Sequence, residues 1–597
     1  MIAVVNRDGR KLMSATSLCL QSLFLPELLG LDARKMYFSG DFQVIAGNLV
    51  STLKVSSEIS TNTYFNGFFL DQWTKLTDVS NVRFKLAVNE GSGTLALCHQ
   101  TVDGTRVKHK MSIDAEMSDV YEVVIDIRPL GSGILYWTLI ADKPLVVADA
   151  GYFCDRPPVR TVTVGIVITA FKRDEAIQDA ISRFHQSELP AEGHRLLIVD
   201  NGGTLEENEH VLANENLGGA GGFTRGLLEL RDDPAITHAL FMDDDAPVHM
   251  GCISRAIAFL RYSRDDRSAI AGAMLSEEEP SVQYGAGLQL NISTPTFLKS
   301  NRDMAETSNL LQNEQGEPAE IGGWYFFMFP LQFVDHLPFP FFVRGDDVLF
   351  SLQNKFEIVT LTGIACWQTS FEEKISPSTT YLAYRARFLN GCLTCHKSQH
   401  DIFDVFSEIE VAVNHNLQSF RYAYAHAILD AVEDVLDGPH YFEENPSALK
   451  RLSEIGVKYR EAYPRQVSAS RVSRYRPLSP WIKLSSPASR LLAKLTRNGH
   501  QFIFPWKRPA LVYGLAPCAN MQLIGHREAL FRSKHSDLGI PVRRSRKECL
   551  AVSRRLSNIK QELFEKGPQW LSAFKLRLPF LQSEQFWRQA LRMEARA

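Results

Sequence analysis

The segment Phe241-Met242-Asp243-Asp244-Asp245-Ala246 sets three carboxylates behind a short apolar run. Carboxylates this close repel one another. A divalent cation in an oxygen-ligand site relieves the repulsion and keeps coordination positions for phosphate oxygens. Alternate residues of an extended segment face the same way, so Asp243 and Asp245 could share one ion, with Mn²⁺ or Mg²⁺ as the expected cofactor. The plainer reading is an acidic turn after a strand. A second acid pair, Asp346-Asp347, follows the run Phe341-Phe342-Val343-Arg344-Gly345. A carboxylate in such apolar surroundings could take the proton of an attacking hydroxyl. The alternative is a helix start carrying acids, since Val348–Phe356 has helical spacing.

Three further segments could touch a substrate. In Asn216-Leu217-Gly218-Gly219-Ala220-Gly221-Gly222-Phe223-Thr224-Arg225-Gly226, glycines such as Gly218 and Gly219 admit positive φ and close backbone approach. A helix expected to start near Gly222 would aim its N-terminus at an anion. The segment is neither a Walker loop nor a dinucleotide fingerprint, and a flexible loop is the competing reading. At the end of an apolar strand, Phe171 and Arg173 could hold a base and a phosphate; a solvated strand end explains them equally well. Gly322-Gly323-Trp324-Tyr325 offers an aromatic face for a sugar ring, or an ordinary core tryptophan. Cys392-Leu393-Thr394-Cys395-His396 has the haem-attachment spacing, but no second ligand pair accompanies it, and two helix cysteines beside a surface histidine are the simpler reading.

These residues need elements to position them. The chain has 597 residues, enough for about three or four domains, and is 45% hydrophobic. Residues 40–150 show short apolar runs between turn signals (Asn66-Gly67, Asn89-Glu90-Gly91, Asp103-Gly104), the pattern of a β-sandwich, which is expected to occupy residues 1–155. Beyond Pro157-Pro158, strands and helices alternate: Val162–Thr169, Asp174–Phe184, Leu196–Val199 and Ala239–Met242. This predicts a multidomain α/β protein whose central unit, residues 156–400, is Rossmann-like with a mostly parallel sheet. The polar and glycine-rich signals fall at strand C-terminal ends, where such sheets bind ligands. Residues 401–597 read as a helical C-terminal region, with 466–500 as a loop or a partly disordered stretch.

Charge is divided unevenly. Residues 450–597 carry 30 Lys+Arg against 9 Asp+Glu, whereas residues 1–449 carry 35 against 59. A basic tail on an acidic body is expected to meet something anionic. No apolar run reaches the ~18 residues of a membrane span. The residues before and within Leu12–Leu29 do not read as a signal peptide. The 9 scattered cysteines fit a reducing compartment, so a cytoplasmic location is expected.

The ordered set of Leu31-Asp32-Ala33-Arg34-Lys35, Thr63-Tyr64-Phe65-Asn66, Ile168–Arg173, Asp200-Asn201-Gly202, Asn216–Gly222, Phe241–Asp245, Gly323-Trp324, Asp346-Asp347 and Trp367 resembles family-2 glycosyltransferases of GT-A fold. More closely, it resembles the bacterial galactofuranosyltransferases that extend cell-wall galactan from UDP-galactofuranose. The resemblance implies an N-terminal β-sandwich, a GT-A domain and a C-terminal helical region. It places Phe171, Arg173, Asn201 and Asn216 at the uridine diphosphate, Asp244 among the substrate-binding residues, and Asp243 and Asp245 on the metal. It puts Trp324 near a sugar, with Tyr325 where a second tryptophan is usual. Asp347 would be the catalytic base and Asp346 would orient the acceptor. The family's third metal ligand is a histidine after a tryptophan; here Trp367 is followed by Gln368, a neutral oxygen ligand. Gly345 replaces an aromatic before the acids.

The expected function is inverting, metal-dependent transfer of galactofuranose to a lipid-linked glycan acceptor in cell-wall or surface polysaccharide synthesis. The basic tail, with Phe502, Phe504 and Trp506 beside Lys507-Arg508, would rest on the inner face of the cell membrane. A solvated face or an oligomer contact is the competing reading of the tail, and the resemblance suggests a homo-oligomer. No nucleic-acid fold accompanies the charge. The rival functions are a related transferase using another nucleotide sugar and a non-catalytic carbohydrate-binding protein.

Overall fold

The computed structural model describes residues 3–4, 17–26, 33–45, 47–51, 58–116, 118–316, 318–394, 401–478, 487–518 and 522–593. Leu31, Asp32, Cys395 and His396, named above, lie outside the described residues, as do parts of Leu12–Leu29 and of 466–500.

The N-terminal sandwich is organised by one strand, Asn81–Thr101. Its buried residues alternate with partly exposed ones, as the two-residue pleat requires. Asn81–Val88 pairs with Asp119–Asp126, and Arg83–Glu90 pairs, with shifts in register, with Val146–Phe153. Gly91–Thr101 pairs with Gly104–Ala115, and most of it also with Ile134–Ala141. The strand therefore belongs to both sheets. Asn89-Glu90-Gly91 is not the turn its composition predicts. Gly91 takes φ +109°, and a Cβ there would sit 2.0 Å from the Pro144 carbonyl oxygen. The glycine bends the strand instead of reversing it.

The sandwich and the α/β domain share a continuous core, from Leu20 and Phe24 to Trp367. Thr63-Tyr64-Phe65-Asn66 lies at this joint. The Asn66 side chain accepts from Phe24 N–H (2.8 Å) and donates to the carbonyls of Phe24 (2.9 Å) and Tyr37 (2.8 Å). Arg255, on the α/β helix Met250–Tyr262, is buried. Its guanidinium donates to the Phe65 and Gly363 carbonyls (3.0 and 2.9 Å) and lies 4.2 Å over the Phe24 ring. Hydrogen bonds to carbonyls and the ring face replace the hydration that burial removes.

In the α/β sheet, Val211–Ala213, Arg195–Asp200, Val164–Ala170 and His238–Asp243 lie side by side and parallel. Phe327–Pro330 continues the sheet antiparallel, next to Ser268–Ser276, which pairs in parallel with Glu357–Gln368. These strands are apolar along nearly their whole length because both faces are covered. The predicted strands and the helix at Asp174 are present with shifts of one or two residues at their ends.

The C-terminal region is helical: Pro377–Thr394, Ile402–Gln418, Tyr422–Leu436, Pro439–Glu444 and Leu449–Lys458, then Arg546–Leu581 and Glu584–Ala590. Between them lies a sheet the sequence reading did not include: Arg465–Gln466, Leu538–Arg543, Glu528–Arg532, Ala510–Tyr513 and Arg476–Pro477. Its strands are two to six residues long, too short for an alternation to register. The basic tail is part of the fold. Trp587 is fully buried and donates to the Pro338 carbonyl at 2.8 Å; Gln582 donates to that of Leu337 at 3.1 Å. Gln582 and the helix Glu584–Ala590 thereby support the loop that leads to Asp346-Asp347.

Candidate active site

Thr169 pairs with Asp243 across two adjacent parallel strands. Phe171–Arg173 and Asp243–Asp245 therefore leave the sheet side by side. Phe171 N–H donates to Asp244 Oδ2 at 2.9 Å. Arg173 reaches over the acids, its Nε 3.6 Å from Asp244 Oδ1 and its Nη2 3.8 Å from Asp245 Oδ2. Gln368, the last residue of Glu357–Gln368, donates through Nε2 to Asp245 Oδ1 at 3.0 Å. Lys374 Nζ donates to Asp245 Oδ2 at 2.6 Å.

The three carboxylates differ in their ease of ionisation. Burial, then the charges of Asp245 and Asp244, push Asp243 up to about 7, and Asp347 adds to the effect. Burial also raises Asp244. For Asp245, burial opposes ionisation, but the Lys374 bond and charge and the Gln368 bond outweigh it and hold the group below the usual carboxylate range. A divalent cation fits these residues. Asp243 is an acid whose ionisation three other carboxylates oppose. Gln368 Oε1 is buried without a hydrogen-bond partner beside Asp245. Among the described residues no group of three or more His, Cys, Asp or Glu is arranged for a metal, so an ion here would use the amide oxygen as its third protein ligand.

Asp346 and Asp347 open the helix Asp346–Asn354. The backbone before it is strained: Phe342, Arg344 and Gly345 have φ of 71°, 70° and 79°. Left-handed conformations at an arginine and a phenylalanine are uncommon and cluster at functional sites. Asp347 Oδ1 accepts the Val348 N–H at 2.9 Å, as first-turn acids do. Burial nevertheless pushes Asp347 up to about 6, against its N–H contacts and the Arg344 charge. Asp346 is held well above the carboxylate range, by burial first and Asp347 next. Asp347 is felt at Asp243, and Asp243 at Asp346. The two acid sets, a hundred residues apart in sequence, are within coulombic reach.

The glycine-rich segment differs from expectation. Its helix begins at Gly218, four residues early, and runs to Arg231. Side chains at Gly222 and Gly226 would meet Thr169 Cγ2 at 2.6 Å and Val167 Cγ1 at 2.3 Å. One at Gly218 would meet the Phe342 carbonyl oxygen at 2.1 Å. These glycines let the helix lie against the sheet and against the acid-bearing loop. The Ala220 N–H already donates to Phe342 O at 3.0 Å, which takes one of the helix-start donors away from a ligand. A Cβ at Gly219 would lie 3.5 Å from Asp346 Oδ2, so this turn faces the second acid pair.

Asn201 and Asn216 are held by protein partners. Asn201 donates to Gly218 O (3.1 Å) and accepts from Asn214 (2.8 Å), and Asn216 Oδ1 accepts the Gly218 N–H (3.0 Å). Trp324 is only 5% exposed, with ring centroids of Phe223, Phe241 and Phe350 at 5.0–5.6 Å. It is a core residue, yet its indole N–H has no partner. Tyr325 is buried too, its hydroxyl unpartnered and raised well above 10 by burial, with Asp347 and Asp243 among the charges it feels. Phe171 is half exposed. Sequence reasoning missed Lys374 and Arg344. Only the adjacency of Arg344 to the acids could have flagged either.

An acid edge joined to a mostly parallel α/β sheet, with a separate raised carboxylate within coulombic reach, can hold a diphosphate and take a proton from a hydroxyl; the named relatives make the chain a glycosyltransferase. A family profile described as galactofuranosyltransferase 2 N-terminal matches residues 20–155. The chain is similar to the galactofuranosyltransferase GlfT2 of Mycobacterium tuberculosis, 24% identical over 445 residues, 68% of this chain and 69% of that protein. It is equally similar to GlfT2 of Mycolicibacterium smegmatis, 24% identical over 508 residues, 79% of this chain and 75% of that protein. The UDP-, GalNAc- and Mn²⁺-bound structure of GalNAc-T7 aligns over 40% of this chain and 49% of that chain at a TM-score of 0.29 and 10% identity.

Proposed function

We propose that the chain transfers galactofuranose from UDP-galactofuranose to a hydroxyl of a glycan acceptor, with inversion at the anomeric carbon. The observation that carries this reading is the pairing of two acid sets in one site: Asp243–Asp245, suited to a cation and diphosphate, and Asp347, a buried carboxylate pushed up to about 6. The names of the two mycobacterial relatives supply the sugar.

Phe171 and Arg173 receive the nucleotide, the ring on its base and the guanidinium on a phosphate. Asp243, Asp245 and the Gln368 amide oxygen would hold Mn²⁺ or Mg²⁺, which when bound stabilises charge on the departing diphosphate. Asp346, kept neutral, donates a hydrogen bond to the acceptor. Asp347 takes the proton of the attacking hydroxyl as that oxygen bonds to the anomeric carbon and the bond to the diphosphate breaks. The tail's exposed Phe502, Phe504 and Trp506 with Lys507 and Arg508 contact anionic lipid, where a lipid-linked acceptor would be presented.

The test is D347N with a panel of nucleotide sugars. Transfer should drop at least a thousandfold while UDP affinity stays within about threefold. Undiminished transfer by the variant would place the base elsewhere. Preference of the wild type for another donor would overturn the sugar assignment.

A further inference from the structure

Cations already occupy the acidic edge. Lys374 makes the closest contact, 2.6 Å to Asp245 Oδ2, whereas Arg173 stands 3.6 and 3.8 Å from Asp244 and Asp245. Gln368 Nε2 takes the other Asp245 oxygen, while its own Oε1 is buried and unpartnered. Asp245 thus has both oxygens engaged by groups of the chain, although it is one of two carboxylates available to an ion. Lys374 is well placed to let go. Its backbone is pinned: its N–H donates to Phe371 O (3.2 Å), and its carbonyl accepts the Thr379 hydroxyl (2.9 Å) at the start of Pro377–Thr394. Its side chain is 31% exposed, so a flexible stem can redirect the ammonium at little cost.

We propose that Lys374 is a resident counter-cation of the acidic edge: it holds Asp245 until a divalent ion takes that oxygen, then donates to the diphosphate of the donor. An ammonium and a divalent ion cannot share one carboxylate oxygen without strong repulsion. Once displaced, the ammonium remains beside the place where negative charge grows as the leaving group departs, and a fixed cation there stabilises it. This rests on the transferase reading and adds to it a residue that acts on the leaving group.

The role gives opposite effects in two titrations. In calorimetry, K374Q should bind Mn²⁺ alone roughly tenfold more tightly than the wild type. At saturating Mn²⁺ it should bind UDP roughly tenfold more weakly, the worth of one charge-assisted hydrogen bond. K374R, which keeps the charge, should recover most of the UDP affinity. A purely structural lysine would move both affinities the same way or neither, and either result overturns the proposal. A second measurement uses the unaltered protein: amine-reactive pulse labelling with peptide mass spectrometry. Lys374 should become several-fold more reactive with Mn²⁺ and protected again when UDP is added; unchanged labelling also overturns the proposal. A wild type that binds no UDP at saturating Mn²⁺ would instead remove the transferase reading itself.

Discussion

At the scale of single residues, the site works by making carboxylates unequal. Asp245 is held ionised by Lys374, whereas Asp346 is held neutral by burial and by its neighbour. Asp347, pushed up to about 6, lies between them. A base must be deprotonated to act, and a raised carboxylate is protonated below its pKa. Turnover should therefore fall about tenfold per pH unit below about 6 and level off above it. A kcat profile from pH 4.5 to 8 at saturating donor and metal checks this; a flat profile through pH 5–7 would assign the proton transfer to another group. The raised value also means that the fold favours the neutral acid. Its contribution to stability is complete below the unfolded value near 3.8 and is lost as pH rises through about 6.

At the scale of elements, the helix Gly218–Arg231 shows what the glycines do. Gly226 faces Val167, where an added Cβ would lie 2.3 Å from Cγ1. G226A gains helix propensity of about 1 kcal/mol, but overpacking against a strand costs about 1–3 kcal/mol. The variant should be destabilised by up to about 2 kcal/mol in urea unfolding despite the better helix former. A stabilised variant would mean that the segment is loose. The same close approach sets Gly219 beside Asp346 and Gly218 beside the Phe342 carbonyl, so a shift of this helix would move the second acid pair.

At the scale of the molecule, the tail both closes the fold and offers a surface. Deleting residues 466–597 would remove the buried Trp587, Trp570 and Phe574, so surface variants are the right probe. Residues 462–527 contain no Asp or Glu and 11 Lys+Arg. Within them Phe502, Phe504 and Trp506 are 88%, 84% and 67% exposed. Exposed aromatics in an acid-free, basic segment suit an anionic bilayer surface. In flotation with vesicles containing phosphatidylserine, F502S/F504S/W506S should lose most of the bound fraction of the wild type. Equal flotation would leave these rings without a lipid role.

The sequence by itself determined the elements whose signal is local. The apolar strands ending at Ala170, Asp200 and Asp243, and the acids just beyond, were legible because a buried parallel strand is a continuous apolar run with its ligand-facing residues at one end. Gly91 misled because composition marks a glycine but not whether the chain bends or reverses there. The two-residue strands of the C-terminal sheet carried no period to read. Only the tertiary structure decided that Asp347 is felt at Asp243, that Trp324 lies in an aromatic core, and that Lys374 closes on Asp245. Each depends on residues from separate strands and loops being folded together, and burial and coulombic effects are properties of that arrangement rather than of the chain order.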